Sequence, residues 1–244
     1  MQPPFTEREE TEAGPGDAPE SPRHGFRGDR GANPIAPAVP YALTVAFSRE
    51  AGARGGAIGR RVAQKLGWQM FDQELLEYMA QDGVVRQGVL DNLPSEAAEW
   101  AEERLQALLR EQNLSQHPAI LSLARVVLAL GAQGEAVLVG RGSGFILPRA
   151  STLHVRLVAP LDERIAYMSQ WLRLPVEEAA EMVRLRDERR TEFLQTHFHR
   201  QGGDVHQYDL LLNTSLLGED VCAELIALAA RARAAHMIGG VPVG

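Results

Sequence analysis

The stretch TVAFSREAGARGGAIGRRVAQKLG, residues 44–67, decides the fold of this chain. Its first four residues form a short, mostly apolar run, which is typical of a buried β-strand. A turn with three glycines follows, and Ile58, Val62 and Leu66 then recur every four residues, as on the buried face of a helix. Gly67 is typical of a helix end. The stretch therefore predicts a strand, a glycine-rich turn and a helix in direct succession.

The glycine-rich turn is typical of a phosphate-binding loop. Glycine lets the backbone approach a phosphate closely, and the free N–H groups and dipole of a helix N-terminus favour an anion. Positive charge surrounds the same turn on Arg49, Arg54, Arg60 and Arg61. The usual pattern G-x-x-x-x-G-K-[ST] is absent, because no lysine follows a loop glycine and no serine or threonine opens the helix. A tight turn with solvated arginines is the alternative interpretation of this stretch taken alone.

Length and composition limit the class of protein. The 244 residues, 45% hydrophobic and 23% charged, fit one α/β domain with or without a small insertion. A net charge of −7 gives no general electrostatic argument for nucleic-acid binding. No apolar run approaches the length of a membrane span, the acidic N-terminus lacks a signal-peptide pattern, and the single Cys222 excludes an internal disulfide. We therefore expect a cytoplasmic protein without a membrane or nucleic-acid partner.

Composition also divides the chain into three parts. Residues 1–40 hold 8 of the 14 prolines and few large apolar side chains, so we expect a disordered, acidic tail rich in proline and glycine. Residues 41–236 are expected to form the single domain, and residues 237–244 a flexible C-terminus. For the tail, a linker, a partner-binding segment and a segment without a role all stay open.

Strands alternate with helices along the expected domain. Four further short apolar runs predict strands, at residues 68–72, 136–140, 153–158 and 210–213. This order predicts an α/β fold whose parallel sheet is covered by helices on both faces. Asp72 ends the second strand, where a carboxylate lies at the ligand edge of such a sheet or caps the next helix.

A densely charged helix is predicted after Pro175. Arg186, Arg189 and Arg190 lie at i, i+3 and i+4, and therefore share one face of this helix. Guanidinium groups beside a phosphate loop suit phosphoryl transfer, because bidentate donors stabilise the charge that develops on the transferring group. A solvated helix face paired with its own glutamates is the alternative.

Three histidines, His197, His199 and His206, cluster loosely after this helix. His-x-His binds metals, but no cysteine or carboxylate set completes a site, so loop histidines are the favoured interpretation. Cys222 lies in a closing helix predicted over residues 219–235 and is expected to be a small buried apolar side chain. Metal ligands therefore stay unassigned.

The order of these elements resembles the nucleoside monophosphate kinases and, more closely, the cytidylate kinase-like family of P-loop kinases. The resemblance rests on five stretches, which are residues 48–59, Phe71-Asp72, Gly140-Arg141-Gly142, residues 187–193 and residues 208–215. It extends from Tyr41 to Ala235. It implies a parallel five-stranded sheet with a helical acceptor-binding insertion, which would lie within residues 81–133, and a mobile arginine-rich lid.

The resemblance further implies transfer of the γ-phosphoryl group of ATP to CMP or dCMP, with Mg²⁺. Matched residue by residue, the loop would bind the ATP phosphates through Ser48, Arg49, Gly52, Ala53, Arg54, Gly55, Gly56, Ala57, Ile58, Gly59 and Arg60. Asp72, Arg141 and Asp187 would bind the acceptor nucleotide. The lid arginines Arg186, Arg189 and Arg190 would close over the transferring phosphoryl group and exclude water.

The chain departs from the family pattern in its loop. The usual lysine falls on Gly55, the usual Mg²⁺-holding Ser or Thr falls on Ala57, and Gly142 replaces an aspartate after Gly-Arg. Arg54 or Arg60 would have to supply the lysine's charge, although a planar guanidinium group is bulkier than the compact ammonium group of lysine. Two alternatives therefore stand beside a (d)CMP kinase, namely a kinase of another small molecule and a catalytically weak regulatory nucleotide-binding protein. The oligomeric state is not predicted.

Overall fold

The computed structural model describes residues 39–239. The predicted tail, residues 1–40, lies outside the described residues except for its last two positions. The predicted flexible C-terminus, residues 237–244, is helical as far as Gly239 and lies outside them beyond that point. The division of the chain at these two boundaries stays a proposal.

Five strands and nine helices make up the described residues. The strands are β1 (Thr44–Arg49), β2 (Gln69–Phe71), β3 (Ala136–Val139), β4 (Thr152–Val158) and β5 (Leu210–Asn213). The helices are α1 (Gly55–Leu66), α2 (Gln73–Gln81), α3 (Gly83–Asp91), α4 (Ser95–Arg110), α5 (Pro118–Gln133), α6 (Ser143–Ile146), α7 (Leu161–Leu172), α8 (Val176–Phe198) and α9 (Thr214–Gly239). The described residues also include two single-turn 3₁₀ helices, Arg149–Ser151 and Val205–Gln207.

All neighbouring strands run parallel, in the order β2-β3-β1-β4-β5. This confirms the predicted α/β fold with a parallel five-stranded sheet. The chain leaves the central strand β1 towards β2 and β3 on one side, and it later reaches β4 and β5 on the other. The segments that follow β1, β3 and β4 therefore meet at one edge, where open α/β sheets bind their ligands.

Helices cover both faces of the sheet, as predicted. Val137 and Val139 of β3 pack with α1 and α9, whereas Ala136 and Leu138 pack with α2, α4 and α5. This alternation follows from the two-residue period of a strand, and it explains why a strand buried on both faces is a continuous apolar run. Cys222 of α9 is buried and free, as expected.

The two helical segments that matter for the site are α2–α5, between β2 and β3, and α7–α8, between β4 and β5. Helices α3, α4 and α5 of the first segment lie within residues 81–133, where the helical insertion was predicted, and α8 begins directly after Pro175. His197 lies in the last turn of α8 and His206 in a 3₁₀ helix, so these two are not loop histidines. Within residues 39–239, His, Cys, Asp and Glu side chains form no group of three that could hold a metal ion. None of the helices in this range has the length and hydropathy that a membrane span requires.

Candidate functional site

A cleft of about 670 Å³ lies at the sheet edge where β1, β2 and β3 end. Eight arginines line it, namely Arg49, Arg54, Arg60, Arg141, Arg156, Arg186, Arg189 and Arg190, together with the three carboxylates of Glu50, Asp72 and Glu74. This local excess of positive charge occurs in a chain whose net charge is −7. Such a charge distribution indicates a strongly anionic ligand, because a cleft of one sign concentrates ions of the other.

The glycine-rich turn between β1 and α1 forms one wall of the cleft. Gly52 has a φ of +82°, and an added Cβ would lie 2.6 Å from the carbonyl oxygen of Arg164, so the position requires glycine. Arg54 adopts the left-handed conformation, with φ 56°, and directly precedes α1. Among residues 39–239, the N–H groups of residues 55–57 find no protein acceptor. Free donors at the start of a helix form an anion-binding site.

The residues predicted to bind the ATP phosphates fall into two groups. Eight line the cleft, namely Ser48, Arg49, Gly52, Arg54, Gly55, Gly56, Ala57 and Arg60. The other three do not line it, because Ala53 and Ile58 are fully buried and an added Cβ on Gly59 would lie 3.1 Å from Cγ2 of Val139. Ala53, Ile58 and Gly59 therefore support the turn from beneath.

Arg49 is enclosed by Gln73 and Gly140. Its Nη2 donates a hydrogen bond to Oε1 of Gln73 at 3.0 Å, and its guanidinium fills the space that a side chain on Gly140 would need. Burial, followed by the charges of Arg190 and Arg141, lowers the pKa of Arg49 to about 9. The group stays charged at neutral pH, and a bound anion would offset the repulsion among these arginines.

Asp72 and Arg141, both predicted to bind the acceptor, line the cleft. The Oδ1 of Asp72 accepts a hydrogen bond from the N–H of Leu75 at 2.9 Å, so this carboxylate caps α2 and also faces the cleft. Arg141 pairs with Glu77, and its guanidinium carbon lies 5.0 Å from the ring centroid of Phe193. Burial lowers the pKa of Arg141.

Asp187, the third residue predicted to bind the acceptor, does not line the cleft. Its Oδ1 accepts from the N–H of Ala51 at 2.7 Å, and its Oδ2 accepts from Nη1 of Arg164 at 2.5 Å. The same Nη1 donates to the carbonyl oxygen of Ala51 at 2.9 Å. Asp187 thus joins the glycine-rich turn to α7 and α8, and this position gives it a positioning role.

Arg186, Arg189 and Arg190 of α8 all line the cleft. The Nη1 of Arg190 lies 3.5 Å from the carbonyl oxygen of Arg49 and 3.6 Å from Oδ1 of Asp187, and burial lowers its pKa to about 10. Arg186 and Arg189 are exposed, and neither has a hydrogen bond or ion pair with another described residue. These two guanidinium groups are therefore available to a ligand.

Several side chains that shape the cleft fall outside every sequence motif. Tyr167 and Trp171 of α7 line it, as does Arg156 of β4. The signal for Arg156 was its place with His154 in an otherwise apolar strand, since a polar residue in a buried strand needs a partner or a ligand. Tyr167 and Trp171 gave no comparable signal, because aromatic residues at helical spacing are typical of a core.

The cleft offers Mg²⁺ few ligands of its own. Ala57 has no side-chain oxygen where the family pattern places a hydroxyl. The carboxylate of Glu50 accepts from the N–H of Ala159 at 3.2 Å and lies 3.4 Å from Nε of Arg164. Mg²⁺ requires octahedral oxygen ligands and is often held by one or two carboxylates with substrate phosphates. The described residues therefore do not fit a Mg²⁺ site built by the protein alone.

Ser48, at the floor of the cleft, contacts a buried histidine. Its Oγ lies 3.0 Å from Nε2 of His154, and the rings of Phe145 and Tyr208 pack against the imidazole with centroids 5.0 and 4.7 Å away. Burial lowers the pKa of His154 to about 4, so the imidazole is neutral at neutral pH. A side chain of β4 thus positions the Ser48 hydroxyl.

The burial of neutral His154 predicts a pH-dependent stability. Its pKa is about 4 in the folded protein and near 6.5 when unfolded, so between these values the unfolded state binds more protons. The free energy of unfolding should therefore decrease as the pH falls through this window, by about 3 kcal/mol at most. We expect His154→Gln, which cannot titrate, to lose this component. Urea unfolding at neutral pH and within the window measures it, and an equal acid sensitivity in both proteins would contradict the prediction.

Comparisons with known proteins bear on the fold and on the family. The model of the cytidylate kinase-like family matches residues 44–216. A cytidylate kinase from Ignicoccus hospitalis is 26% identical over 118 residues, which cover 48% of this chain and 69% of that protein. A uronate isomerase from Corynebacterium glutamicum is 30% identical over 91 residues, which cover 37% of this chain but only 18% of the isomerase.

One solved structure supports the fold alone. An uncharacterized protein from Eubacterium ventriosum has a TM-score of 0.54 and 17% identity, over 78% of this chain and 98% of that chain. The family match is the broader finding, since it includes the glycine-rich turn, the arginines of α8 and all five strands, and it spans more than half of the chain. The chain therefore belongs to the cytidylate kinase-like family.

Proposed function

We propose that the protein is a phosphotransferase that moves the γ-phosphoryl group of ATP to CMP or dCMP. The observation that carries this proposal is one cleft that is lined by a glycine-rich turn with free N–H groups and by eight arginines. A nucleoside triphosphate and a nucleoside monophosphate bring several negative charges together, and guanidinium groups bind phosphate oxygens in pairs. Family membership supports kinase chemistry, and the name of the Ignicoccus hospitalis relative supports the choice of acceptor.

The donor phosphates are assigned to the turn and the start of α1. The free N–H groups of residues 55–57 would donate to these phosphates, and Arg54 and Arg60 line the cleft beside them. The acceptor is assigned to the opposite side, where Asp72 and Arg141 follow β2 and β3. In this arrangement the two nucleotides meet in front of β1, with Arg49 and Ser48 beneath them.

The arginines of α8 are assigned to the transferring group. Phosphoryl transfer requires little covalent chemistry from the protein, so positioning and charge stabilisation supply most of the catalysis. Arg186 and Arg189 have no protein partner among the described residues. Their guanidinium groups can therefore bind the phosphoryl oxygens as negative charge develops on them. Closure of α8 over the cleft would also exclude water and limit ATP hydrolysis. A cytoplasmic location, where ATP is available and Cys222 stays reduced, belongs to the same proposal.

A catalytically weak nucleotide-binding protein is the second candidate. It is favoured by the lining of the cleft, because no lysine is among the described residues there and Ala57 replaces a hydroxyl. A kinase of another small-molecule acceptor is the third candidate, because no contact made by a described residue distinguishes a cytosine ring from another base or from a non-nucleotide acceptor.

A coupled ADP-release assay separates these candidates. It would use ATP and Mg²⁺ with CMP, dCMP, UMP, AMP or GMP, and a control without acceptor. Selective turnover with CMP or dCMP is the expected result. If no acceptor releases ADP although a direct titration shows ATP binding, a non-nucleotide acceptor or the regulatory function replaces the proposal. If ATP does not bind, the phosphate site itself is rejected.

A further inference from the structure

An aromatic stack borders the glycine-rich turn. Tyr167 and Trp171 lie four residues apart on α7, with ring centroids 6.5 Å apart and ring planes at 11°. The guanidinium carbon of Arg54 lies 4.9 Å from the centroid of the Tyr167 ring. The three side chains thus form a continuous row, called here the Arg54–Trp171 stack, which begins at the residue before α1.

The outer end of the Arg54–Trp171 stack is open to the cleft. The side chain of Trp171 lines the cleft, and the residue is 64% exposed. Tryptophan is usually well buried, because its large ring contributes more apolar surface than other side chains. A ring of this size, exposed within a cleft and parallel to a second ring, offers a flat face to another planar group.

The stack is also fixed relative to the phosphate site. Arg164, two turns before Trp171 on α7, donates to the carbonyl oxygen of Ala51 at 2.9 Å and to Asp187 at 2.5 Å. Its backbone packs so closely on Gly52 that no Cβ fits between them. Because α7 is tied to the turn in this way, the anion-binding N–H groups and the aromatic face are held in a preset relation, which lowers the entropy cost of binding a ligand that needs both.

We propose that the Arg54–Trp171 stack binds the base of the donor nucleoside triphosphate by its face, and that the donor site therefore accepts purines and pyrimidines alike. The inference rests on the proposed function, since it takes the glycine-rich turn as the site of the donor phosphates. Stacking tolerates any base because every base has a π-face.

The distribution of polar groups in the cleft supports a donor site that does not select its base. The cleft-lining residues of α7 are Tyr167, Met168 and Trp171, and none carries a carboxylate or carboxamide that could bind a base edge. Such groups lie instead on Asp72, Gln73 and Glu74, which follow β2. In the sheet, β3 and β1 separate β2 from β4, the strand that precedes α7. The cleft thus has a stacking side and a side able to read base edges.

Calorimetric titration of the full chain tests this inference. The ligands are ATP, GTP, CTP, UTP and inorganic tripolyphosphate, and the variants are Trp171→Leu and Trp171→Phe. We expect the wild type to bind the four nucleotides with Kd values within about tenfold of each other. Trp171→Leu should weaken all four by about tenfold or more and leave tripolyphosphate unchanged. Trp171→Phe, which keeps a flat ring, should retain most of the affinity.

A matched control is Leu228→Ala. Leu228 lies on α9, does not line the cleft and is as exposed as Trp171, so its loss should change no affinity. The inference is overturned if Trp171→Leu binds the nucleotides normally, if it weakens the binding of tripolyphosphate equally, or if the wild type binds only ATP.

The ADP-release assay distinguishes a failure of this inference from a failure of the proposed function. If nucleotide binding depends on Trp171 but no acceptor receives the phosphoryl group, the proposed function alone is rejected. If transfer occurs and Trp171→Leu binds the nucleotides normally, the role of the Arg54–Trp171 stack alone is rejected.

Discussion

Replacing Arg189 by alanine is expected to lower turnover about a thousandfold and to leave the Kd for ATP almost unchanged, because arginines of this kind act on the transition state. Arg189 is exposed on α8, lines the cleft and has no hydrogen bond or ion pair with another described residue. Its removal therefore breaks no contact that holds the fold. Arg190 is a less informative choice, since it also contacts the carbonyl oxygen of Arg49 and the carboxylate of Asp187.

Arg184→Ala is the matched control for this prediction. Arg184 is equally a surface arginine of α8, but it does not line the cleft. The ADP-release assay gives the turnover of both variants, and calorimetry gives the Kd for ATP. Equal turnover in Arg189→Ala and Arg184→Ala would reject the assignment of α8 to the transferring group. A parallel loss of ATP affinity in Arg189→Ala would place Arg189 in ground-state binding instead.

The elements whose signals are local were predictable from the sequence. The helix predicted after Pro175 begins at Val176, because a proline and the acidic Glu177 and Glu178 mark its start. The closing helix was predicted from Glu219. The structure has helical residues from Thr214, but Gly218, with φ 73° and ψ 171°, interrupts α9, so a separate first turn precedes the predicted helix. The earlier start follows from Asn213, whose Oδ1 accepts hydrogen bonds from the N–H groups of Ser215 and Leu216. A cap at the end of a strand is a weak signal in sequence, since the same residue is also common in turns.

The site was predictable only as far as its motifs extend. The turn, Asp72, Arg141 and the arginines of α8 come together because parallel strands end at one edge, which the predicted topology already implied. The partners of Asp187 were not predictable, because Arg164 lies in a different helix and belongs to no motif. The same holds for the Arg54–Trp171 stack, whose members become neighbours only when α7 packs against the turn. Contacts between distant segments are decided by packing, and no local pattern encodes them.

Gly55→Val is expected to abolish measurable ATP binding. Gly55 is the first residue of α1, and an added Cβ would lie 2.9 Å from Cγ and 3.2 Å from Cβ of Arg49. Valine would therefore displace the Arg49 side chain from its hydrogen bond with Gln73, and its two methyl groups would stand between the ligand and the free N–H groups of residues 55–57. Binding of tripolyphosphate should be lost together with that of ATP, because both depend on the same donors.

The control for this prediction separates a lost site from a lost fold. Gly88→Val makes the same change inside α3, where an added Cβ has no neighbour within 4 Å, and it should leave ATP binding intact with a small gain in helix propensity. Thermal unfolding of both variants shows whether each is folded, and Gly55→Ala supplies a smaller change if Gly55→Val does not fold. Retained ATP affinity in a folded Gly55→Val protein would mean that the turn is only a connection between β1 and α1. The donor would then have to be bound by the arginines alone, and the assignment of the N–H groups of residues 55–57 to its phosphates would be wrong.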